Sequence, residues 1–286
     1  MRVAKRAGEE SGNERSPATM RELLTERSTR VVAAVKLHRH VGRRRAGRFL
    51  AEGPNLVEAA SVHGLVRDVF VTEAASQRYS SLLASLAPAQ VHLVSERAAK
   101  ALSDTVTPAG LVAVCEIPAT RLQDVLADSP RLIAVAVEIG EPGNAGTLIR
   151  IADAMGAGGV VLGGHSVDPY NGKCLRASTG SMFSIPVVVE PDIQAAIHAL
   201  HAAGMQVLAT TVDGEARLDE IGETLAKPTA WLFGPESHGL PSEIARAADH
   251  RTRIPMSGGA ESLNVAAAAA ICLYQSAQAL GVLTRP

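Results

Sequence analysis

Apolar positions along the chain follow two different rhythms. Between residues 20 and 118, helical spacings alternate with short β-branched runs. A helix is predicted from Met20 over residues 20–35, and Gly53-Pro54 opens a second over 54–60, because proline is pre-set for a first helical turn. Residues 68–71, 91–94 and 111–114 read as strands, separated by helical stretches at 74–87 and 96–101. From residue 131 the strands become unbroken apolar runs, at 132–139 (LIAVAVEI), 159–164, 185–189, 206–212 and 229–234, with a last short one at 250–256. Helices are predicted over 144–155, 193–203 and, with Ser262 as cap, 263–280, while the segment around Arg176 reads as helix or loop. Unbroken apolar strands alternating with helices imply a parallel sheet covered on both faces, which binds its ligands beyond the carboxyl ends of the strands. The fold class is therefore α/β in two units, a small one over 20–118 and a larger one over 131–286. Residues 119–130 join or cap the second unit, and 1–19 read as a disordered tail.

Composition narrows the setting. Hydrophobic residues make up 47% of the 286 but aromatics only 3%, so aliphatic side chains must fill the cores. No apolar run approaches the ~18 residues of a membrane span, and the N-terminus lacks the apolar stretch of a secretory signal. Cys115, Cys174 and Cys272 stand far apart, with neither a CxxC pair nor a Cys/His cluster. They read as small buried hydrophobes in a reducing cytoplasm, and no metal site is expected. The net charge of −1 hides a split: residues 1–118 hold 17 Lys/Arg against 12 Asp/Glu, and the remainder 11 against 17. A basic module facing an acidic partner is the reading.

Most of that charge lies in one run, with Lys36, Arg39, Arg43, Arg44, Arg45 and Arg48 accompanied by His38 and His40 and no acid. Like charges so close repel unless a counterion is present, so contact with RNA or DNA phosphates is expected. A solvated charged face is the competing reading.

Three strand-end loops carry the remaining polar chemistry. The first is Glu138-Ile-Gly-Glu-Pro-Gly-Asn144-Ala-Gly146-Thr-Leu-Ile-Arg150, where Asn144 reads as a helix cap. Its glycines give GxxGxxG, and the next strand ends VVLGGHS with no Asp or Glu to hold a ribose, so the dinucleotide fingerprint fails twice. Tyr170 and Lys173 are three apart, which also removes a short-chain dehydrogenase pair. The second loop is Gly234-Pro-Glu236-Ser-His238-Gly239-Leu240, and the third Ile254-Pro-Met256 through Ser262-Leu263-Asn264-Val265. Glycines in such loops let a ligand approach the backbone closely.

Taken together and in order, these segments resemble the motifs of the SpoU/TrmH family of SPOUT RNA 2′-O-ribose methyltransferases: N-x-G-x-x-x-R, then G-x-E-x-x-G-[LIM], then I-P-M-x-G…S-L-N-V. Arg176-Ala-Ser178-Thr-Gly180 through Pro186 also resembles the family's R-A-S-x-G…P segment. The resemblance covers roughly 130–281. Residues 30–118, above all 47–53 (GRFLAEG), resemble the family's attached substrate-binding domain, which is similar to ribosomal proteins that bind kinked RNA. Within the family the chain most resembles the thiostrepton-resistance type, which acts on 23S rRNA. The departures are small, with Ala266 where many relatives have Ser and Pro235 in a loop where a less rigid residue is commoner.

The resemblance implies a C-terminal trefoil knot, S-adenosylmethionine as cofactor, no metal, and a homodimer in which the first-motif Arg reaches the partner's site. It implies Thr210, Gly234, Ile254, Met256 and Leu263 as cofactor contacts. Arg150, Asn144, Glu236, Ser262 and Asn264 are implied as catalytic residues, with Asn144 orienting Arg150. Free arginine stays protonated below pH ~12, so clamping the target phosphate suits Arg150 better than proton abstraction. A tRNA substrate, an inactive RNA-binding paralogue and an unrelated nucleotide-binding oxidoreductase remain as alternatives, although the presence of Arg150, Glu236 and Asn264 argues against inactivity.

Overall fold

A computed structural model describes residues 23–283; the tail expected over 1–19 and the predicted helix start at Met20 lie outside them. The first unit runs α1 (Thr29–Val35), α2 (His40–Ala46), β1 (Arg48–Glu52), α3 (Pro54–Val62), β2 (Val66–Val71), α4 (Glu73–Arg78), α5 (Ser80–Ser85), β3 (Gln90–Leu93), α6 (Glu96–Leu102) and β4 (Leu111–Glu116). Its sheet has the order β1-β4-β2-β3, with β4 antiparallel to both neighbours and β3 parallel to β2.

Three local expectations are corrected here. Residues 23–28 are not helical: Leu24 is buried and bridges Val94, and Ser28 Oγ accepts from the Thr25 N–H in a turn before α1. The strand β1 was hidden inside the basic run, because Arg48 precedes a stretch of only three buried residues, Phe49 to Ala51. The helical stretch 74–87 is two short helices broken at Tyr79.

The second unit runs α7 (Leu122–Ala127), β5 (Leu132–Val137), α8 (Pro142–Ala154), β6 (Gly159–Gly163), α9 (Gly172–Ser178), α10 (Ser181–Ser184), β7 (Val187–Glu190), α11 (Ile193–Ala202), β8 (Gln206–Thr210), β9 (Ala216–Arg217), α12 (Gly222–Leu225), β10 (Thr229–Phe233), α13 (Ser242–Ala247), β11 (His250–Arg253) and α14 (Val265–Ala279). All seven strands are parallel, in the order β7-β6-β5-β10-β8-β11-β9. Of the two readings for residues 119–130, a join or a cap, the described residues form a helix, α7, whose Leu122 and Val125 are buried against the sheet.

Alternation along the central strands divides the core. Ala134 and Ala136 of β5, with Trp231 and Phe233 of β10, face α8, α9 and α14; Ile133, Val135 and Val137, with Ala230 and Leu232, face α7, α11 and α13. The first of these cores continues into the small unit: Phe49 of β1 is fully buried, with its ring centroid 4.8 Å from Tyr170 and 5.9 Å from Phe183. The two units thus share one apolar core. Because every strand of the large sheet points the same way, the loops after β5, β8, β10 and β11 gather along one edge.

Candidate active site

The first of these loops leaves β5 through Glu138, which holds a left-handed φ of 55°. Glu141 then caps α8, its Oε2 accepting from the Asn144 N–H at 2.7 Å, and Pro142 fills the first turn. Hydrogen bonds from the Lys173 ammonium and the Asn144 N–H hold the Glu141 carboxyl below the usual carboxylate range. Since Glu141 does the capping that the sequence suggested for Asn144, the Asn144 amide is free to leave the helix. It reaches the loop after β10, where Asn144 Nδ2 donates to Glu236 Oε1 at 3.0 Å.

The third loop arrives at the same oxygen. Asn264, not Ser262, caps α14, its Oδ1 accepting from the Ala266 N–H at 2.9 Å. Asn264 Nδ2 donates to Glu236 Oε1 at 2.8 Å and to Asn144 Oδ1 at 3.1 Å, and the Val265 N–H adds a third bond to Glu236 Oε1 at 3.0 Å. One carboxylate oxygen therefore gathers three chain segments, with Glu236 lying 92 residues and Asn264 120 residues beyond Asn144. Gly234 makes this loop possible: a Cβ there would lie 2.6 Å from Leu240 N and from Gly239 C, so the chain doubles back on bare backbone.

Beside this node lies a cleft of about 800 Å³. Thr210, Gly234, Ile254, Met256 and Leu263 all stand on its walls, as do Glu236 and Ser262. The Thr210 hydroxyl donates to the Leu232 carbonyl at 2.9 Å and so serves the sheet. Two neighbouring hydroxyls in the same walls, Thr211 Oγ1 and Thr252 Oγ1, are buried without a hydrogen-bond partner among the described residues. Among the described residues His238 bonds only to Ser237 Oγ, on the exposed rim.

Arg150 is elsewhere. It is exposed on α8, does not line the cleft, and makes no hydrogen bond or ion pair with any described residue. Six residues at ~100° each place it roughly 240° around the helix from Asn144, so Asn144 cannot orient it within one chain; the Asn144 amide is committed to Glu236 and Asn264 instead.

The basic run splits in two. Lys36, Arg39, Arg44, Arg45 and Arg48 are exposed and carry no ion pair with described residues. Arg43 is buried, 4% exposed, and is withdrawn as an RNA contact. Its Nε and Nη2 meet Asp168 Oδ2 at 2.7 and 2.6 Å, and Nη1 donates to the Leu37 and His38 carbonyls at 2.9 Å each. The counterion that the run lacks locally is supplied from 125 residues away, a separation at which local sequence carries no signal.

All three cysteines are buried, and burial pushes their thiols up, that of Cys174 to about 12 with help from the Asp168 and Glu141 charges. None is poised as a nucleophile. Among the described residues no group of His, Cys, Asp and Glu could hold a metal ion, and no helix is long and apolar enough to cross a membrane.

The sequence and fold are similar to those of known proteins. Residues 131–274 match the SpoU rRNA Methylase family, and residues 28–113 match the MRM3-like substrate binding domain. The chain is 35% identical to the 23S rRNA (guanosine(2553)-2′-O)-methyltransferase RlmP of Bacillus subtilis, over 89% of this chain and 98% of that one. It is 33% identical to the 23S rRNA (uridine(2479)-2′-O)-methyltransferase of Streptomyces viridochromogenes, over 93% and 94%. Its structure resembles that of the SpoU methyltransferase AviRb from Streptomyces viridochromogenes in complex with AdoMet, with a TM-score of 0.76 and 31% identity over 88% and 98% of the two chains. With motifs, fold and both matched segments in agreement, the chain belongs to the SpoU rRNA methylase family.

Proposed function

We propose that this protein transfers a methyl group from S-adenosylmethionine to a ribose 2′-hydroxyl of 23S rRNA. The observation that carries the reading is the convergence of three loops on Glu236 Oε1 at the rim of the cleft. The residues present fit the cofactor. The cleft suits a folded nucleoside in volume, Ile254, Met256 and Leu263 give it apolar walls, and two unpartnered hydroxyls lie in its lining. A ribosomal rather than a transfer RNA substrate is supported by the names of the two relatives matched along nearly their whole length.

When bound, the cofactor supplies an electrophilic methyl on a sulfonium. The chain's own residues must then bring a ribose oxygen into line with it, exclude water and help release one proton. Asn144, Glu236 and Asn264 hold the loops in a single arrangement, and the place of Ser262 on the cleft wall supports a contact with the ribose. Arg150, exposed and without a partner among the described residues, clamps the target phosphate and offsets charge developing on the attacking oxygen. Its absence from the walls of its own chain's cleft supports a homodimer in which each Arg150 serves the partner's site. The outward Ile271 and Tyr274 of α14, 38% and 48% exposed, support an interface along that helix. Placement of β10 between the earlier strands β5 and β8, with α14 fastened on it by the Trp231 Nε1 to Ser276 Oγ bond of 2.8 Å, supports a C-terminal trefoil knot. Residues 20–118 act as the RNA-binding unit and 131–286 as the catalytic unit, joined through 119–130, and the protein works in the cytoplasm with its RNA.

Two measurements test this. Calorimetry should detect one S-adenosylmethionine bound per chain, and tritium from the labelled cofactor should appear on unmodified 23S rRNA. Arg150→Ala should leave the cofactor dissociation constant unchanged and lower transfer by about 10²-fold or more. Full turnover by that variant removes Arg150 from the mechanism.

A further inference from the structure

A basic domain that recognises RNA is of use to a methyltransferase only if it holds the RNA at a set distance from the reacting site. Domains joined by a short connector move against each other unless a large or apolar interface stops them. Here two ionic contacts flank the shared Phe49, Tyr170 and Phe183 packing. The first is the buried Arg43–Asp168 pair, in which Asp168 Oδ1 also accepts from the Tyr170 N–H at 2.9 Å. The second is partly exposed. Arg176 Nη1 of α9 meets Asp104 Oδ1 at 2.5 Å and stands 4.0 Å from Glu52 Oε2. Glu52 accepts in turn from the Ser103 and Thr105 hydroxyls and from the Asp104 N–H. A Cβ on Gly172 would lie 2.4 Å from Asp104 Oδ2, so a side chain there would have to push the Asp104 carboxylate out of its contact with Arg176.

The same helix touches the chemistry. A Cβ on Gly146 of α8 would lie 2.4 Å from the Cys174 carbonyl and 2.7 Å from Ala177 Cβ, so α8 and α9 meet backbone to backbone. Asn144 and Arg150 ride on α8, and the exposed Arg44 and Arg45 ride on α2 with Arg43. The path from the exposed Arg44 and Arg45 to Arg150 therefore runs through α2, the two ionic contacts, α9 and α8. We infer that Arg176, with Asp104 and Glu52, is a positioning site: it sets the register between the bound RNA and the methyl-transfer site, and so determines which nucleotide is modified. This inference rests on the methyl-transfer reading for its specificity limb and on the geometry alone for its docking limb.

The test uses the full chain with Arg176→Met, Arg176→Lys and, as a wedge at the same seam, Gly172→Ala. Hydrogen exchange reads the docking. Arg176→Met and Gly172→Ala should speed exchange over 103–105 and 164–184 while leaving the core strand β5 unchanged, and unaltered exchange at both segments overturns the seam. Mapping of 2′-O-methyl positions on an unmodified 23S rRNA transcript reads the register. The unaltered protein should mark one nucleotide. Arg176→Met should bind S-adenosylmethionine normally, mark that nucleotide about tenfold more slowly, in the range of ordinary coupling between sites, and spread methylation onto its neighbours. Arg176→Lys, which keeps the charge, should restore the single mark. A slower reaction confined to one nucleotide, in proportion to folded protein, means that Arg176 only supports the fold and overturns the positioning role. Absence of transfer by the unaltered protein instead overturns the functional reading, and the positioning role with it, and leaves exchange to judge the docked seam.

Discussion

Arg43 and its neighbours on α2 show how far chemically identical residues diverge once folded. Arg44 and Arg45 project into solvent, whereas Arg43 satisfies one carboxylate and two carbonyls with four contacts inside the protein. Removing one partner of a buried pair strands the other, at a cost of about 3–5 kcal/mol. Arg43→Ala is therefore expected to lower unfolding free energy by about that amount in chemical denaturation. Arg44→Ala and Arg45→Ala should leave stability within about 0.5 kcal/mol of the parent. Those two variants should instead weaken RNA binding uniformly across sequences, each lowering the salt-dependence slope by about one. If Arg43→Ala weakened RNA binding without loss of stability, the buried assignment would be wrong. Glu236 is the counterpart at the catalytic edge, a carboxylate whose single oxygen takes three donors and whose work is to hold loops together.

Helix pairs carry the constraint one level up. In a bundle of ordinary helices, side chains keep axes 8–10 Å apart; between α8 and α9, Gly146 brings backbone against backbone. An added methyl at that position must push α9 or α8 aside, and overpacking of this kind costs about 1–3 kcal/mol. Gly146→Ala is expected to lower the denaturation midpoint accordingly. Because α8 carries Asn144, it should also lengthen the contact to Glu236 and reduce methyl transfer beyond what the folded fraction explains. Equal losses of stability and activity would confine the role of Gly146 to packing. The two helix starts at the site obey the same economy of donors. Glu141 caps α8 and Asn264 caps α14, so the amides of Asn144 and Asn264 can meet across the gap.

At the level of the whole molecule, the absence of Arg150 from the walls of its own cleft has a direct consequence. If each proposed site takes Arg150 from one protomer and Glu236 from the other, neither Arg150→Ala nor Glu236→Ala alone can form a complete site. Unfolding and refolding the two variants together in equal amounts should restore about a quarter of the unaltered activity, since random pairing makes half the dimers mixed and leaves one sound site in each. No recovery on mixing, with dimers confirmed by sedimentation, would place Arg150 in its own chain's site.

Periodicity made the parallel sheet legible, because a strand buried on both faces has to be apolar throughout, as residues 132–137 are. The resemblance to the SpoU/TrmH motifs names Asn144, Glu236 and Asn264 together, and the structure brings their three side chains into one hydrogen-bonded group. The strand at 48–52 and the helix at 122–127 were lost for the opposite reason: each is short and bears charge on its open side, so no period accumulates. Longer-range facts had no local trace at all. The burial of Arg43 depends on Asp168, the role of Arg176 on Asp104, and the turning of Arg150 away from its own cleft on helix geometry past Asn144. Hydrophobic pattern and glycine placement act over a few residues and are written in the chain; the pairing of charges depends on which surfaces meet, and that exists only once the chain has folded.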